Sequence, residues 1–387
     1  MAAIPQPLAT VPAPDGPAGF WWDRWLSWRN RLLSSPRFQR WAADFPLTRP
    51  VARRNARALF DLVAGFVYSQ ILVACVRLDL FDILAAAPLA PATLARRIGL
   101  AEPAAVTLLK AASSLKLVQA LPDGRYGLGP LGAALRGNPS LGAMIAHHAM
   151  LYADLTEPVS LLRGQTADPQ LAAFWAYAGH KAPAATTPAQ VRGYSALMAQ
   201  SQELIAGEVL DAYSLRRHRR LLDIGGGEGV FLSAAGIRYP DLGLMLFDLP
   251  SVVERAPARF EGAGVASRAT IFAGDFFRDR LPTGADIVSL VRVLHDHDDE
   301  FALAILRKAY AALPKDGILL VAEPMSGTSG AEPAGDAYFG IYLAAMGSGR
   351  PRTAAEISLL LRRAGFHRTR LAPTRTPMVV RVMVANS

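Results

Sequence analysis

The sequence predicts an α/β protein in which a doubly wound, seven-stranded sheet domain follows a smaller, all-helical domain of winged-helix layout. Three observations predict it. Short apolar runs alternate with helical stretches from Leu221 to the C-terminus, a glycine-rich turn closes the first of those runs, and residues 92–129 read as helix, turn, helix and hairpin. At 387 residues the chain is long enough for two domains and an extension.

The bulk composition, 51% hydrophobic and 19% charged, supports a large buried core without a bundle of membrane spans. The longest apolar stretch, Leu62 to Val76, is interrupted by Ser69 and Gln70 and flanked by Asp61 and Arg77. It falls short of the roughly 20 apolar residues of a span and is expected to be a buried helix. One cysteine, Cys75, excludes an intrachain disulfide, and with no cleavable signal pattern the default address is the cytoplasm. Of the net charge of +9, residues 1–57 hold +6 (nine Arg, three Asp), which leaves +3 elsewhere.

Four regions follow in order. Residues 1–50 combine a Pro- and Ala-rich leader, expected to be disordered over 1–19, with the amphipathic helix FWWDRWLSWRNRLL, in which Trp21, Trp25, Trp28 and Leu32 share one face. Five of the six tryptophans lie between residues 21 and 41 among arginines. Such a helix suits a membrane headgroup layer, reached peripherally through residues 20–45; packing on the protein body or on a second subunit is the competing reading. Residues 51–140 hold the winged-helix layout: ATLARRIG, a turn at Glu102-Pro103, AAVTLLKAASSLKLV and a hairpin at Asp123-Gly124. Its second helix carries only Lys110 and Lys116 as basic residues, too few to read a major groove, so no nucleic acid is expected. Residues 141–205 read as connecting helices and a lid over the acceptor pocket, with a loop or hinge at 181–189; residues 206–387 form the α/β domain.

In LLDIGGGEG, Asp223 ends a strand while Gly225, Gly226, Gly227 and Gly229 pack into the turn, where only glycine permits close backbone approach. Asp248 ends the second strand in FDLP, where a carboxylate meets ribose hydroxyls in nucleotide-binding α/β folds. Asp275 and Phe276, in GDFF after the third strand, offer a carboxylate for an adenine amino group and an aromatic wall. A dinucleotide fingerprint needs a third glycine where Val230 stands, so the pyrophosphate cradle is incomplete. S-adenosylmethionine, a cationic nucleoside without phosphates, suits this acid-rich crevice; the competing reading makes the acids mere helix and turn caps.

After the fourth strand, RVLHDHDDE places His295 at the crevice mouth, and histidine is the natural proton acceptor near neutral pH. Glu323, ending the fifth strand in VAEP, is positioned to hold that ring. His295, Asp296, His297, Asp298 and Asp299 also resemble metal ligands, but Asp298, Asp299 and Glu300 open a helix and read as its caps, and adjacent residues rarely converge on one ion, so no metal is expected. Thr353 and Glu356 read as a capping box. His147, His148 and Tyr152 are candidate acceptor contacts, with hydrogen-bonded interior histidines as the alternative.

Together these motifs, with the winged-helix front end, resemble the Rossmann-like small-molecule O-methyltransferases of the caffeic acid, chalcone and hydroxyindole type, over residues 55–387. The resemblance implies a homodimer built on the front domain, metal-independent methyl transfer, donor contacts at Gly225, Asp248, Asp275, Phe276 and Arg292, and His295 as base. Two departures stand out. His297 replaces the usual aromatic after the His-Asp pair, and Pro351, in GSGRPRT, stands where a second carboxylate is expected. More narrowly, the Trp/Arg-rich N-terminus and HHAMLYADLTEPVSLLRG resemble the carotenoid O-methyltransferases of anoxygenic phototrophs, which methylate a tertiary 1-hydroxyl on an acyclic carotenoid. A membrane-borne polyene acceptor would fit the tryptophan helix. A phenolic or polyketide acceptor and, in another class, a non-catalytic winged-helix regulator are the alternatives.

Overall fold

The computed structural model describes residues 17–175 and 202–387. The leader over residues 1–16 and the loop expected at 181–189 lie outside the described residues. The chain divides into two compact units, Met1–Ala74 and Cys75–Ser387.

In the first unit the amphipathic helix spans Pro17–Leu33, so it begins inside the stretch expected to be disordered. Trp21, Trp22, Trp25 and Trp28 are 70%, 64%, 47% and 56% exposed. A second helix, Pro36–Asp44, is capped by Ser35 and carries an exposed aromatic stack, Trp41 on Phe45 at 5.1 Å. The next helix, Arg49–Arg77, departs from the sequence expectation. Leu62, Val63 and Phe66 are 81%, 66% and 70% exposed, although Val73 and Cys75 further on are buried. Its length and composition also suffice to cross a membrane, a test that core helices pass as well. An apolar run predicts burial without stating by what, and exposed apolar side chains grouped in this way mark a contact surface.

In the second unit, helices Pro91–Ile98 and Glu102–Ser114 precede the hairpin of β1 (Val118–Ala120) and β2 (Tyr126–Leu128), as the winged-helix reading expects. The second helix begins at Glu102 because Pro103 is tolerated in its first turn, where the missing N–H has no partner to lose. It stops at Ser114, and Lys116 takes a left-handed φ of 59° to start the turn into β1.

All seven expected strands of the α/β domain are present: β3 (Arg220–Ile224), β4 (Gly243–Asp248), β5 (Ala269–Ala273), β6 (Ile287–Val291), β7 (Ile318–Glu323), β8 (Thr369–Ala372) and β9 (Arg381–Asn386). Their order is β5-β4-β3-β6-β7-β9-β8, parallel except for β9, which runs antiparallel to both neighbours. Helices cover both faces, so the central strands are mostly apolar, with Asp223, Ser289 and Glu323 as buried exceptions; every residue of β6 is buried. Leu222, Val288, Leu319 and Leu361 lie in the core of one face, Leu221, Phe231, Ile287 and Leu320 in that of the other. The chain reverses direction across the sheet between β3 and β6, and the carboxyl ends beside that switch open a ligand crevice.

Candidate functional site

The glycine turn after β3 is built for close approach. Gly225 and Gly227 have φ of 66° and 62°, values that side-chain-bearing residues rarely adopt. A Cβ on Gly225 would sit 2.9 Å from Val293 and 3.8 Å from Phe276, whereas Gly227 faces open space. The Gly225 amide donates to Phe247 O at 2.8 Å, tying the turn to the end of β4.

Asp248 stands at that end. Its two oxygens accept from the amides of Gly227 and Leu249, both at 2.7 Å, so the carboxylate and the glycine turn hold one another. Burial pushes its carboxyl up to about 6, against the pull of those two amides. Asp223 lies deeper and is wholly buried. Register pairs it with Ser289 on β6, whose hydroxyl donates to Oδ1 at 2.6 Å, while Oδ2 has no hydrogen-bond partner among the described residues. Burial raises it to about 7, with Asp248 adding to the shift and Ser289 opposing it. Asp275 accepts from the Phe277 amide at 2.8 Å and faces Arg278 at 3.6 Å. Phe276 packs edge-on against Phe277 and His297, at 4.7 and 5.5 Å. The glycine turn thus meets the ends of β4 and β6 directly, and Phe276 comes with them. An orphaned buried carboxylate oxygen, a second raised carboxyl and an open glycine turn fit a cationic nucleoside.

The opposite wall rises from β6 and β7. Arg292 continues β6 with a φ of 58°, unusual for a non-glycine residue, and its amide donates to Ala322 O at 2.8 Å. A 3-10 turn, Leu294–Asp296, then presents His295. Glu323, 2% exposed, organises this turn: Oε1 accepts from the amides of Val293 and Leu294 at 3.0 and 2.7 Å, and Oε2 bonds His295 Nδ1. The pairing expected from the sequence is present.

Unexpected is Asp296, whose Oδ1 lies 3.1 Å from His295 Nε2, so the ring is bracketed by two carboxylates. Burial pulls the imidazole down, but Asp296 and Glu323 outweigh it and leave His295 above its ordinary range, with Arg292 opposing. Asp296 itself is raised, by burial first and Glu323 second.

His147 and His148 sit on the helix Pro139–Asp154, and both are hydrogen-bonded to tyrosines of the segment after β7. That segment is a π-helical stretch, Pro333–Phe339, continuing as the helix Gly340–Met346. Tyr342 Oη accepts from Trp175 Nε1 at 3.0 Å, which leaves its hydrogen for His147 Nε2 at 2.8 Å. Burial, with His148 nearby, brings His147 down to about 4, so it is neutral. His148 Nε2 bonds Tyr338 Oη at 2.7 Å and is lowered by burial; Tyr338 is pushed up to about 12 by burial. Tyr152 packs edge-on to His148 at 6.5 Å. Phe339, next to Tyr338, has its ring centroid 6.4 Å from that of His295. Sequence reasoning missed Ser289, Asp296, Tyr338, Phe339 and Tyr342. Only the i, i+4 spacing of the two tyrosines hinted at one helical face.

Among the described residues, no group of three or more His, Cys, Asp or Glu is arranged to hold a metal ion.

Comparison with known proteins identifies the family. Residues 152–367 match the O-methyltransferase domain, and residues 60–137 match the O-methyltransferase dimerisation domain. The chain is 45% identical to demethylspheroidene O-methyltransferase of Cereibacter sphaeroides over 355 residues, covering 92% of this chain and 93% of that protein. It is 41% identical to the enzyme of the same name from Rhodobacter capsulatus, covering 98% and 94%. Among solved structures, CalO1, a methyltransferase in calicheamicin biosynthesis in its SAH-bound form, superposes with a TM-score of 0.72 at 26% identity, over 86% of this chain and 98% of that one. The chain belongs to the S-adenosylmethionine-dependent O-methyltransferases and carries that family's dimerisation and catalytic domains in one polypeptide.

Proposed function

We propose that this O-methyltransferase methylates the tertiary 1-hydroxyl of an acyclic carotenoid, as a homodimer that docks peripherally on the membrane holding its acceptor. One observation carries the acceptor: identity of 41% and 45%, over nearly the whole chain, to two demethylspheroidene O-methyltransferases. The exposed tryptophans of helix Pro17–Leu33, among arginines, support the docking. The cytoplasmic side of the inner or photosynthetic membrane is the corresponding location.

When bound, S-adenosylmethionine supplies the methyl group from its sulfonium. In this reading Asp248, Gly225, Gly227, Asp275 and Phe276 orient the nucleoside, and Asp223 and Arg292 set the charge behind and beside it. With His295 in its neutral form and the acceptor hydroxyl taking the place of Asp296 at Nε2, that nitrogen accepts the proton the hydroxyl sheds as it becomes an ether, and Glu323 stabilises the imidazolium through Nδ1. The apolar walls that Phe339, Tyr338 and Tyr342 offer suit a polyene end, and the neutral pairs His147–Tyr342 and His148–Tyr338 leave no free charge to repel it. No metal takes part. A tertiary alcohol is crowded and weakly acidic, so orientation contributes more than base strength.

Incubation of the protein with labelled S-adenosylmethionine and either 1-hydroxylated acyclic carotenoids or soluble phenols, followed by mass analysis, tests the acceptor. Label in the carotenoid ether is expected; label in phenols alone would refute it. Co-sedimentation with anionic lipid vesicles, lost on joint Trp21→Ala and Trp25→Ala substitution, tests the docking, and unchanged sedimentation refutes it.

A further inference from the structure

The loop Gly347–Thr353, GSGRPRT, lacks the carboxylate expected at Pro351. It instead holds four consecutive carbonyls of the turn that carries His295. Arg352 Nη1 donates to Leu294 O at 2.7 Å and Nη2 to His297 O at 2.6 Å. Between them, the Arg350 amide donates to His295 O at 2.9 Å and Ser348 Oγ to Asp296 O at 3.0 Å. Gly349, with a φ of 77°, donates to Asp298 Oδ1 at 3.1 Å, and a Cβ there would run into the His295 carbonyl.

Arg352 is the centre of this grip. It is 2% exposed, and Nε donates to Asp299 Oδ1 at 2.8 Å, so all three guanidinium nitrogens are engaged. Asp299 also receives Arg350 Nη2 at 3.0 Å, which fixes the carboxylate that fixes Arg352. The turn itself is weak: its own i to i+3 bonds, Asp296 N to Val293 O and His297 N to Leu294 O, measure 3.3 and 3.2 Å. A single 3-10 turn has no ladder to hold it rigid. Its placement is set from outside, by Glu323 on the N–H side and by the loop on the C=O side.

We propose that Arg352 is a positioning residue for methyl transfer: with Ser348 and Gly349 it fixes the depth and rotation of the Leu294–Asp296 turn, and hence the aim of the His295 imidazole. This rests on the reading of His295 as proton acceptor. Lysine in place of Arg352 keeps the charge but loses the fork, so it contacts one carbonyl and frees the other.

The test pairs turnover with a signature that needs no acceptor. Arg352→Lys should lower kcat on a 1-hydroxylated carotenoid about 10- to 100-fold, the size of effect that small misplacements of a catalytic group produce. Acceptor KM and the Kd for S-adenosylmethionine should stay within about threefold, since the donor contacts other than Arg292 lie on other loops and Arg292 is anchored separately by its amide to Ala322 O. In ¹⁵N-histidine NMR of the whole protein, the His295 Nδ1–H signal should broaden and its titration shift in the variant. Unchanged kcat, or equal losses in kcat and donor affinity, overturn the proposal. If the wild type leaves the carotenoid unmethylated, the acceptor reading fails and the NMR comparison alone decides: an unaltered His295 signal overturns the positioning role. Should Arg352→Lys fold poorly, Ser348→Ala is read the same way, with smaller losses expected and none refuting.

Discussion

Replacing Glu323 by glutamine changes one atom and tests the reaction chemistry. Oε1 accepts from two backbone amides, at 3.0 and 2.7 Å, so the amide oxygen of glutamine must take that place; turned the other way, its NH2 would face two N–H donors. The NH2 then faces His295 Nδ1 and donates to it. That inverts the tautomer: Nε2 carries the hydrogen and can no longer accept one. The variant also loses a charge-assisted bond to the developing imidazolium, worth about 1.5–3 kcal/mol. At about 1.4 kcal/mol per factor of ten, that alone lowers kcat roughly 10- to 150-fold. The wrong tautomer accounts for about 10⁴-fold in the Ser-His-Asp triad, so a fall of about 10²- to 10⁴-fold is expected. Single-turnover rates with labelled donor measure it, calorimetry gives donor affinity, and His295→Ala sets the floor. Donor Kd should stay within about threefold. A variant with kcat near the wild-type value, or one that loses donor affinity in proportion, would refute the assignment of Glu323 and His295.

Three further outcomes follow from the donor wall. Asp248, raised to about 6, must be ionised to accept from ribose hydroxyls and the Gly227 amide together, so donor Kd should rise by about tenfold per pH unit below that point. Calorimetry between pH 5 and 8 checks this, and a flat profile contradicts it. The stability of the ligand-free protein runs the other way. Carboxyls raised in the fold contribute stability that is complete below the ordinary aspartate pKa and lost as pH climbs toward 7, because the unfolded chain ionises first. Gly229→Ala should destabilise the fold by about 2–4 kcal/mol in urea melts, because a left-handed backbone adds strain and a Cβ would meet the Phe260 ring. That residue has a φ of 83°, the approach to Phe260 is 2.5 Å, and the ring is 1% exposed and has no room to move. A loss under about 1 kcal/mol would show that the turn relaxes.

Much of this protein was legible from the chain alone because the informative signals are local. Two-residue and 3.6-residue periodicities, and turns that demand glycine, are written in neighbouring residues. So the seven strands, the glycine turn, Asp248 and Asp275 at strand ends and the His295–Glu323 pairing were all expected from motif order. What tertiary structure alone decided concerns partners far apart in sequence. Asp223 faces Ser289 because β3 and β6 are adjacent, 66 residues apart. His147 meets Tyr342 across 195 residues, and Arg352 reaches Leu294 across 58. The GSGRPRT loop illustrates the limit: its missing carboxylate was visible in the sequence, but its grip on four carbonyls was not, since any backbone offers carbonyls and only the fold says which ones come within reach. The apolar run at Leu62 is the converse case. Composition predicted burial, yet a single chain leaves those side chains exposed, because hydrophobicity states that a surface leaves water and is silent on what covers it.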